Sequence, residues 1–251
     1  MNLKTFFTPS PGRERPFLIQ VAGALDIQEG LMLARAGADA VGLPLRLDHH
    51  KPDVSEAEAA RIFSALPHST AGVVITYERD PKRAAALCHE LAVPNIQLHA
   101  PWTRAALEML REIAPELFII KSLIVSGSNL VELARQVKEL SPLADAFITD
   151  TFDPESGACG ATGKTHDWRV SRELVSLSPK PVVLAGGLGP DNVSQAINLV
   201  RPAGVDAHTG LEDEQGRKDP DKTALFIQNA RLAARKDAGS PPLPKIPLSD
   251  N

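Results

Sequence analysis

Thr149 to Trp168 reads T-D-T-F-D-P-E-S-G-A-C-G-A-T-G-K-T-H-D-W and follows a mainly apolar run at 144–148. The apolar run predicts a buried strand, which ends at Asp150. A loop with three glycines comes next, and Asp167 opens the following helical pattern. A carboxylate at the end of a buried strand, before a flexible loop, is typical of how an α/β enzyme presents an acid to a ligand. The alternative is that Asp150 only caps a turn.

The end of this loop, Gly163-Lys164-Thr165, is similar to the end of a nucleotide-binding P-loop. That motif, G-x-x-x-x-G-K-[ST], requires a glycine at position 158. The residue there is Ala158, and Gly157 stands one position too early. The sequence therefore argues against ATP binding through this loop.

The composition limits the classes of partner. The chain has 251 residues, a net charge of −4 and two cysteines. This length suits one α/β barrel, and an acidic balance without a basic cluster argues against nucleic-acid binding. Cys88 and Cys159 provide neither a metal-ligand spacing nor a disulfide framework, so a reducing, cytoplasmic setting is expected. No apolar run reaches the roughly 18 residues of a membrane span, so no membrane partner is expected.

Three segments are predicted along the chain: an irregular lead-in at 1–16, a barrel at 17–235 and a loose, proline-rich tail at 236–251. In the middle segment, strands alternate with helices that start at capping residues. Eight such units favour a closed (β/α)8 TIM barrel of the α/β class over an open sheet. The strands are expected at 17–23, 38–43, 72–76, 95–98, 117–123, 144–150, 181–185 and 204–206, and the caps at Asp26, Ser55, Asp80 and Thr103.

Polar residues stand where the predicted strands end, which is where such barrels bind their ligands. Asp48 and the histidines at 49, 50 and 99 could together hold a metal, but their spacing matches no metal-site template. Histidines in these loops equally serve proton transfer or hydrogen bonding, so no metal or other cofactor is expected. The full set is Asp26, Asp48, His49, His50, Glu78, His99, Lys121, Asp150, Asp206 and His208.

Glycines follow the last two predicted strands: Gly186 and Gly187 after the seventh, and Gly210 after the eighth. Backbone N–H groups can approach an anion closely where no side chain intervenes, and a helix N-terminus adds a favourable dipole. Asp191 is expected to cap the helix that follows the first pair. These loops, together with Thr209, predict a phosphate site, and the alternative is that the glycines only form tight turns.

Seven blocks of sequence carry a family resemblance: A-G-A-D-A-V-G at 36–42, I-Q-L-H at 96–99, I-T-D-T at 148–151, G-A-T-G-K-T-H-D-W at 160–168, L-A-G-G-L-G-P-D-N-V at 184–193, A-I-N-L-V-R-P at 196–202 and G-V-D-A-H-T-G-L-E at 204–212. In these blocks and in their order, the chain resembles the phosphoribosylanthranilate isomerase family of tryptophan biosynthesis. The resemblance runs from Phe17 to about Arg235.

This resemblance implies a (β/α)8 barrel that converts N-(5′-phosphoribosyl)anthranilate, an aminoaldose phosphate, to the corresponding 1-deoxyribulose phosphate. Such an Amadori rearrangement needs a general acid that opens the furanose ring and a general base that removes the C2′ proton. The family's acid is an aspartate at the end of strand six, which corresponds to Asp150. Its base is a cysteine in a K-I-C-G motif on strand one.

The chain departs from the family at three places in the site. Q-V-A-G at 20–23 replaces K-I-C-G, so Ala22 stands at the position of the base. The family's arginine for the substrate carboxylate is absent or replaced by Lys51. A-H-T-G at 207–210 replaces V-S-S-G. Because acid–base catalysis is typically worth about 10²–10⁴-fold in rate, we expect loss of the base to nearly silence the ordinary reaction unless another group replaces it.

Candidates for a replacement base are His208, His49, His50 and Asp26, and a change of substrate is a further possibility. The alternative is a non-catalytic phosphosugar-binding paralogue on the same barrel. The expected partner is a phosphorylated sugar, and the expected state is a monomer or homodimer. The predicted site comprises Asp150 and His208 as catalytic residues, His99, Asp206 and Lys51 for the substrate, and Gly186, Gly187, Thr209 and Gly210 for the phosphate.

Overall fold

The computed structural model describes residues 1–8, 16–48, 52–127, 129–151 and 165–237. None of the helices in these ranges combines the length and apolar character that a membrane crossing requires. The elements in chain order are α1 (Leu3–Phe7), β1 (Leu18–Ala22), α2 (Ile27–Ala36), β2 (Ala40–Leu45), α3 (Glu56–Ala65), β3 (Ala71–Thr76), α4 (Pro81–Glu90), β4 (Asn95–Leu98), α5 (Arg104–Ile113), β5 (Phe118–Val125), α6 (Leu130–Leu140), β6 (Ala146–Thr151), α7 (Trp168–Leu177), β7 (Val182–Leu184), α8 (Val193–Val200), β8 (Gly204–Ala207), a 3-10 helix η1 (Thr209–Leu211) and α9 (Pro220–Asp237).

Eight parallel strands close into a barrel in sequence order, and β8 pairs with β1. This confirms the predicted (β/α)8 TIM barrel. Nearly every strand residue is buried, as expected where a sheet is covered on one face by helices and on the other by its own interior. Because the strands are parallel, all eight of their carboxyl ends lie on one face of the barrel.

Alternate residues of each strand point into the barrel and out toward the helices. The inward residues form a separate apolar cluster, which includes Leu18, Ala22 and Ile148. Gln20 lies between Leu18 and Ala22 in β1, and Asp150 lies two residues after Ile148 in β6. Both polar side chains therefore belong to the inward set.

Four of the five N-cap residues that the sequence predicts are found in the structure. The prediction that Asp191 caps α8 is wrong, because the helix begins after Asn192. Asn192 holds the preceding turn, where its Oδ1 accepts from Gly189 N at 2.9 Å and its Nδ2 donates to Gly187 O at 2.9 Å. The predicted caps are confirmed for α2, α3, α4 and α5, where a side-chain oxygen accepts from the backbone N–H three residues later: Asp26, Ser55, Asp80 and Thr103.

The N-terminal lead-in, which the sequence predicts as irregular, contains the short helix α1. Its Leu3 is fully buried, and its Phe7 ring stacks on Phe118, the first residue of β5. Asn95, the first residue of β4, accepts from Leu3 N at 2.8 Å and donates to Met1 O at 3.1 Å. Helix α1 therefore covers the amino-end face of the barrel, opposite the predicted site.

Candidate active site

Three predicted site residues meet at the carboxyl-end face of the barrel. Asp150 is the penultimate residue of β6, Asp206 lies in β8, and His99 follows directly after β4. Their exposed fractions are only 6%, 8% and 7%. The closed barrel thus holds two carboxyl groups and an imidazole in an environment that is poorly solvated, and this environment governs their protonation.

The surroundings of Asp150 favour the protonated form of its carboxyl group, which a general acid requires. Its Oδ1 accepts from Thr151 N at 2.7 Å, and its Oδ2 lies 3.9 Å from His99 Nδ1. Burial raises the pKa of Asp150 to about 7, and the hydrogen bond from Thr151 N opposes the shift only in part. A carboxyl with this pKa still carries a proton near neutral pH and can donate it.

A chain of side-chain hydrogen bonds orients His99. Gln20 Nε2 donates to Gln97 Oε1 at 2.8 Å, and Gln97 Nε2 lies 2.6 Å from His99 Nε2. Because the amide nitrogen of Gln97 is a donor, His99 Nε2 is the acceptor and Nδ1 carries the ring hydrogen. Burial, and then the charge of Lys121, lowers the pKa of His99 to about 3. His99 is therefore a neutral ring, and its buried Nδ1 lies 3.9 Å from Asp150 Oδ2 without a hydrogen-bond partner among the described residues.

Asp206 forms the second buried carboxyl of the site. It pairs in register with Gln20 across β1 and β8. Burial and then the charge of Asp150 raise the pKa of Asp206 to about 7, against smaller opposing effects of Gln20 and Lys218. Among the described residues, Asp206 Oδ1 and Gln20 Oε1 are buried and have no hydrogen-bond partner. A donor on a bound ligand could satisfy either oxygen.

His208 lies beside the position where the resemblance expects a base. Ala22 ends β1 with 3% exposed, and a Cβ added to the next residue, Gly23, would meet His208 Nε2 at 2.2 Å. The imidazole therefore packs directly on the glycine backbone, which only a residue without a side chain permits. Burial, followed by the charge of Lys218, lowers the pKa of His208 to about 4 although Glu212 opposes the shift. His208 is thus neutral and able to accept a proton.

The two glycine-rich loops pack backbone against backbone. Gly186 and Gly187 adopt φ values of 95° and 60°. A Cβ on Gly210 would lie 2.1 Å from Leu188 O, and one on Gly186 would lie 2.2 Å from Thr151 Oγ1. Close packing alone therefore explains why glycine is needed at positions 186 and 210. The phosphate-binding role of Gly186, Gly187, Thr209 and Gly210 remains a prediction.

Sequence reasoning missed three polar residues that build the site. Gln97 stands two positions before His99, and this spacing of two places both side chains on the same face of β4. The sequence marks Gln20 only as the residue that stands in place of the lysine of the K-I-C-G motif. His166 connects Thr151 Oγ1 at 2.9 Å with Ser171 Oγ at 2.6 Å, and so ties the end of β6 to α7.

Other polar residues at the strand ends have different roles. Asp26 caps α2 and pairs with Arg217 Nη2 at 2.6 Å, which removes it from the site. Asp48 forms an ion pair with Arg79. Within the ranges that the structure describes, no three His, Cys, Asp or Glu side chains come together as a metal site would require. Lys51, His49 and His50 lie outside those ranges.

A closed (β/α)8 barrel with a buried carboxyl of raised pKa at its carboxyl-end face is typical of barrel enzymes that perform acid–base chemistry. The sequence profile of the N-(5′-phosphoribosyl)anthranilate (PRA) isomerase family matches residues 19–229. The chain belongs to this family, which confirms the resemblance found in the sequence.

Individual relatives support the assignment. N-(5′-phosphoribosyl)anthranilate isomerase 2 of Methanosarcina mazei is 37% identical over 214 residues, which cover 85% of this chain and 93% of the relative. The isomerase of Haloferax volcanii is 34% identical, covering 86% and 93%. The solved Thermotoga maritima isomerase has a TM-score of 0.72 at 29% identity and covers 86% of this chain and 99% of its own. A further solved isomerase, with a TM-score of 0.70 at 27% identity and coverage of 86% and 99%, is in complex with reduced 1-(o-carboxyphenylamino)-1-deoxyribulose 5-phosphate.

Replacement of Asp150 by asparagine should stabilise the protein increasingly as pH rises. The ordinary pKa of 3.8 describes the unfolded chain, whereas the folded value is about 7. Between these values the unfolded chain has released a proton that the folded protein keeps, so the stability of the wild type falls as pH rises. Asparagine removes this dependence, and the variant should gain on the wild type by roughly 1 kcal/mol per pH unit between about pH 4 and 7.

Urea unfolding of both proteins at about pH 5 and about pH 8 measures this gain. Asp221→Asn, at an exposed position in the first turn of α9, is the matched control and should show no growing difference. A free energy of unfolding that changes equally with pH in the wild type and in Asp150→Asn would contradict a buried, protonated carboxyl.

Proposed function

We propose that the chain catalyses the Amadori rearrangement of a phosphorylated aminoaldose, with N-(5′-phosphoribosyl)anthranilate as the first substrate to test. The observation that carries the proposal is Asp150, which occupies the family's acid position and is buried with a pKa of about 7. The substrate class is supported by the names of the relatives and by the deoxyribulose phosphate bound in a solved isomerase.

In the first step, Asp150 donates its proton to the furanose ring oxygen. The C1′–O bond breaks, the oxygen becomes a hydroxyl, and the nitrogen lone pair forms a protonated Schiff base at C1′. Asp150 is then a carboxylate that accepts from Thr151 N. His99 Nδ1 lies 3.9 Å from the other carboxylate oxygen, Oδ2, and its N–H would stabilise this charge if the two groups moved into hydrogen-bond distance.

In the second step, His208 takes the proton from C2′. The electrons of the broken C–H bond form the C1′–C2′ double bond and neutralise the nitrogen, which gives an enolamine. The enolamine gains a proton at C1′ and loses the 2′-hydroxyl proton, which completes the ketone. His208 suits this step because it is neutral and its ring packs on Gly23, the neighbour of Ala22.

The buried carboxyls favour an enzyme over a non-catalytic binding protein. Holding Asp150 and Asp206 at a raised pKa costs folding stability near neutral pH. Carboxyls perturbed in this way are typical of active sites, and a protein that only bound a phosphosugar would gain more from ionised, solvated groups.

For the phosphate, we propose the two packed loops after β7 and β8. A Cβ on Gly189 would lie 3.3 Å from Gly210 O, so these loops meet without side chains between them. Gly187 bends one loop, and Thr209 begins the 3-10 helix η1 in the other. Backbone N–H groups of Gly187 and near Thr209 are the proposed donors.

Lys51 is the proposed partner of the aryl carboxylate.

Loss of the acid or of the base should reduce turnover. We expect Asp150→Asn and His208→Ala each to lower kcat for N-(5′-phosphoribosyl)anthranilate by about 10²–10⁴-fold, measured by the fluorescence change of the substrate. Added imidazole should restore part of the activity of His208→Ala, because it replaces a missing base. His89→Ala, at an exposed position on α4, is the control for loss of a histidine. Full kcat in His208→Ala would exclude His208 as the base.

Gly187→Val should remove phosphate binding, because a branched side chain would stand where the anion approaches. The positive φ of 60° at Gly187 also strains any side chain, and the control variant shares this strain. Calorimetry with ribose 5-phosphate and with inorganic phosphate measures binding. Gly37→Val is the matched control, since Gly37 also has a positive φ, of 102°, but ends α2 at the opposite face of the barrel. If the wild type and His208→Ser bind neither ligand at millimolar concentration, the proposed phosphate site is wrong.

A further inference from the structure

His208 and Glu212 stand at the two ends of the same short helix. His208 precedes the 3-10 helix η1, and Glu212 follows it. The helix brings the side chains together, so that His208 Nε2 lies 3.4 Å from Glu212 Oε1. A carboxylate beside one nitrogen of an imidazole fixes which nitrogen carries the hydrogen, and it also stabilises the imidazolium that forms after proton transfer.

Glu212 is itself held rigidly. Its Oε1 accepts from Lys218 Nζ at 2.7 Å, and the Lys218 side chain is fully buried. The two residues also form an isolated antiparallel backbone bridge. Lys218 N donates to Glu29 Oε1 at 2.7 Å, which connects the pair to α2. The carboxylate thus has a fixed position, and its charge has a buried partner.

We infer that Glu212 is a positioning residue for His208: it accepts from Nε2–H and leaves Nδ1 as the nitrogen that takes the substrate proton. This inference rests on the proposed function, in which His208 is the base. Glu212 and Lys218 are the charged groups that act on His208, and they affect its pKa in opposite directions. The arrangement is a carboxylate–histidine pair at the position where the family pattern has a serine.

The test is a double-mutant cycle on the full chain with N-(5′-phosphoribosyl)anthranilate. Glu212→Ala should lower kcat by about 10²-fold with KM changed only a few-fold, since a misplaced base slows the proton transfer rather than binding. In the His208→Ala background, Glu212→Ala should cost little more. Glu212→Asp should recover part of the loss, and Glu214→Ala, an exposed glutamate of the same loop, is the control.

The Glu212→Gln variant separates a loss of positioning from a failure to fold. Its amide oxygen can still accept a hydrogen bond from the buried Lys218 ammonium. It should fold with an unchanged circular dichroism spectrum and lose less kcat than Glu212→Ala. Suppose that His208→Ala is inactive. The positioning role is then overturned if the losses of the two single variants add in the double variant, or if Glu212→Ala has an unchanged kcat. An active His208→Ala protein would instead overturn the proposed function.

Discussion

Closure of the barrel requires every inward polar side chain to find its hydrogen-bond partners within the barrel or on a ligand. An inward group that water cannot reach must be paired, neutralised or held at a cost in stability. Gln20, Gln97 and His99 form a hydrogen-bonded chain across β1 and the end of β4, which leaves Gln20 Oε1 and His99 Nδ1 without a partner among the described residues. Burial raises the pKa values of Asp150 and Asp206, and their hydrogen bonds oppose this shift only in part. The chemistry proposed for the site follows from this constraint.

The same constraint limits how the base can be replaced. Ala22 presents only a methyl group at the end of β1, and its neighbour Gly23 leaves room for the imidazole of His208, which follows β8. In the proposed mechanism, a residue directly after β8 performs a task that belongs to β1 in the family, and the pairing of the two strands brings these positions together. The Glu212–Lys218 pair lies beside this imidazole, so the proposed replacement involves the loop after β8 as well as one side chain.

The sequence predicts the fold well because capping residues such as Ser55 and Thr103, and apolar runs of strand length, are local signals. It also predicts the convergence of Asp150, His99 and Asp206, since residues after parallel strands must share one face. It does not reveal the glutamine chain or the contact of α1 with Asn95, because these depend on pairs of residues far apart in the chain. The error at Asp191 arose because the adjacent Asn192 forms the turn instead.

The central claim is that His208 performs the task of the family's cysteine. The most direct measurement is kcat for N-(5′-phosphoribosyl)anthranilate in three proteins: the wild type, His208→Ser, and the double variant Ala22→Cys/His208→Ser, which restores the family's residues at both positions. The account predicts a loss of about 10²-fold or more in His208→Ser and a recovery of at least about tenfold when the cysteine is added. Wild-type kcat in a folded His208→Ser protein would contradict it.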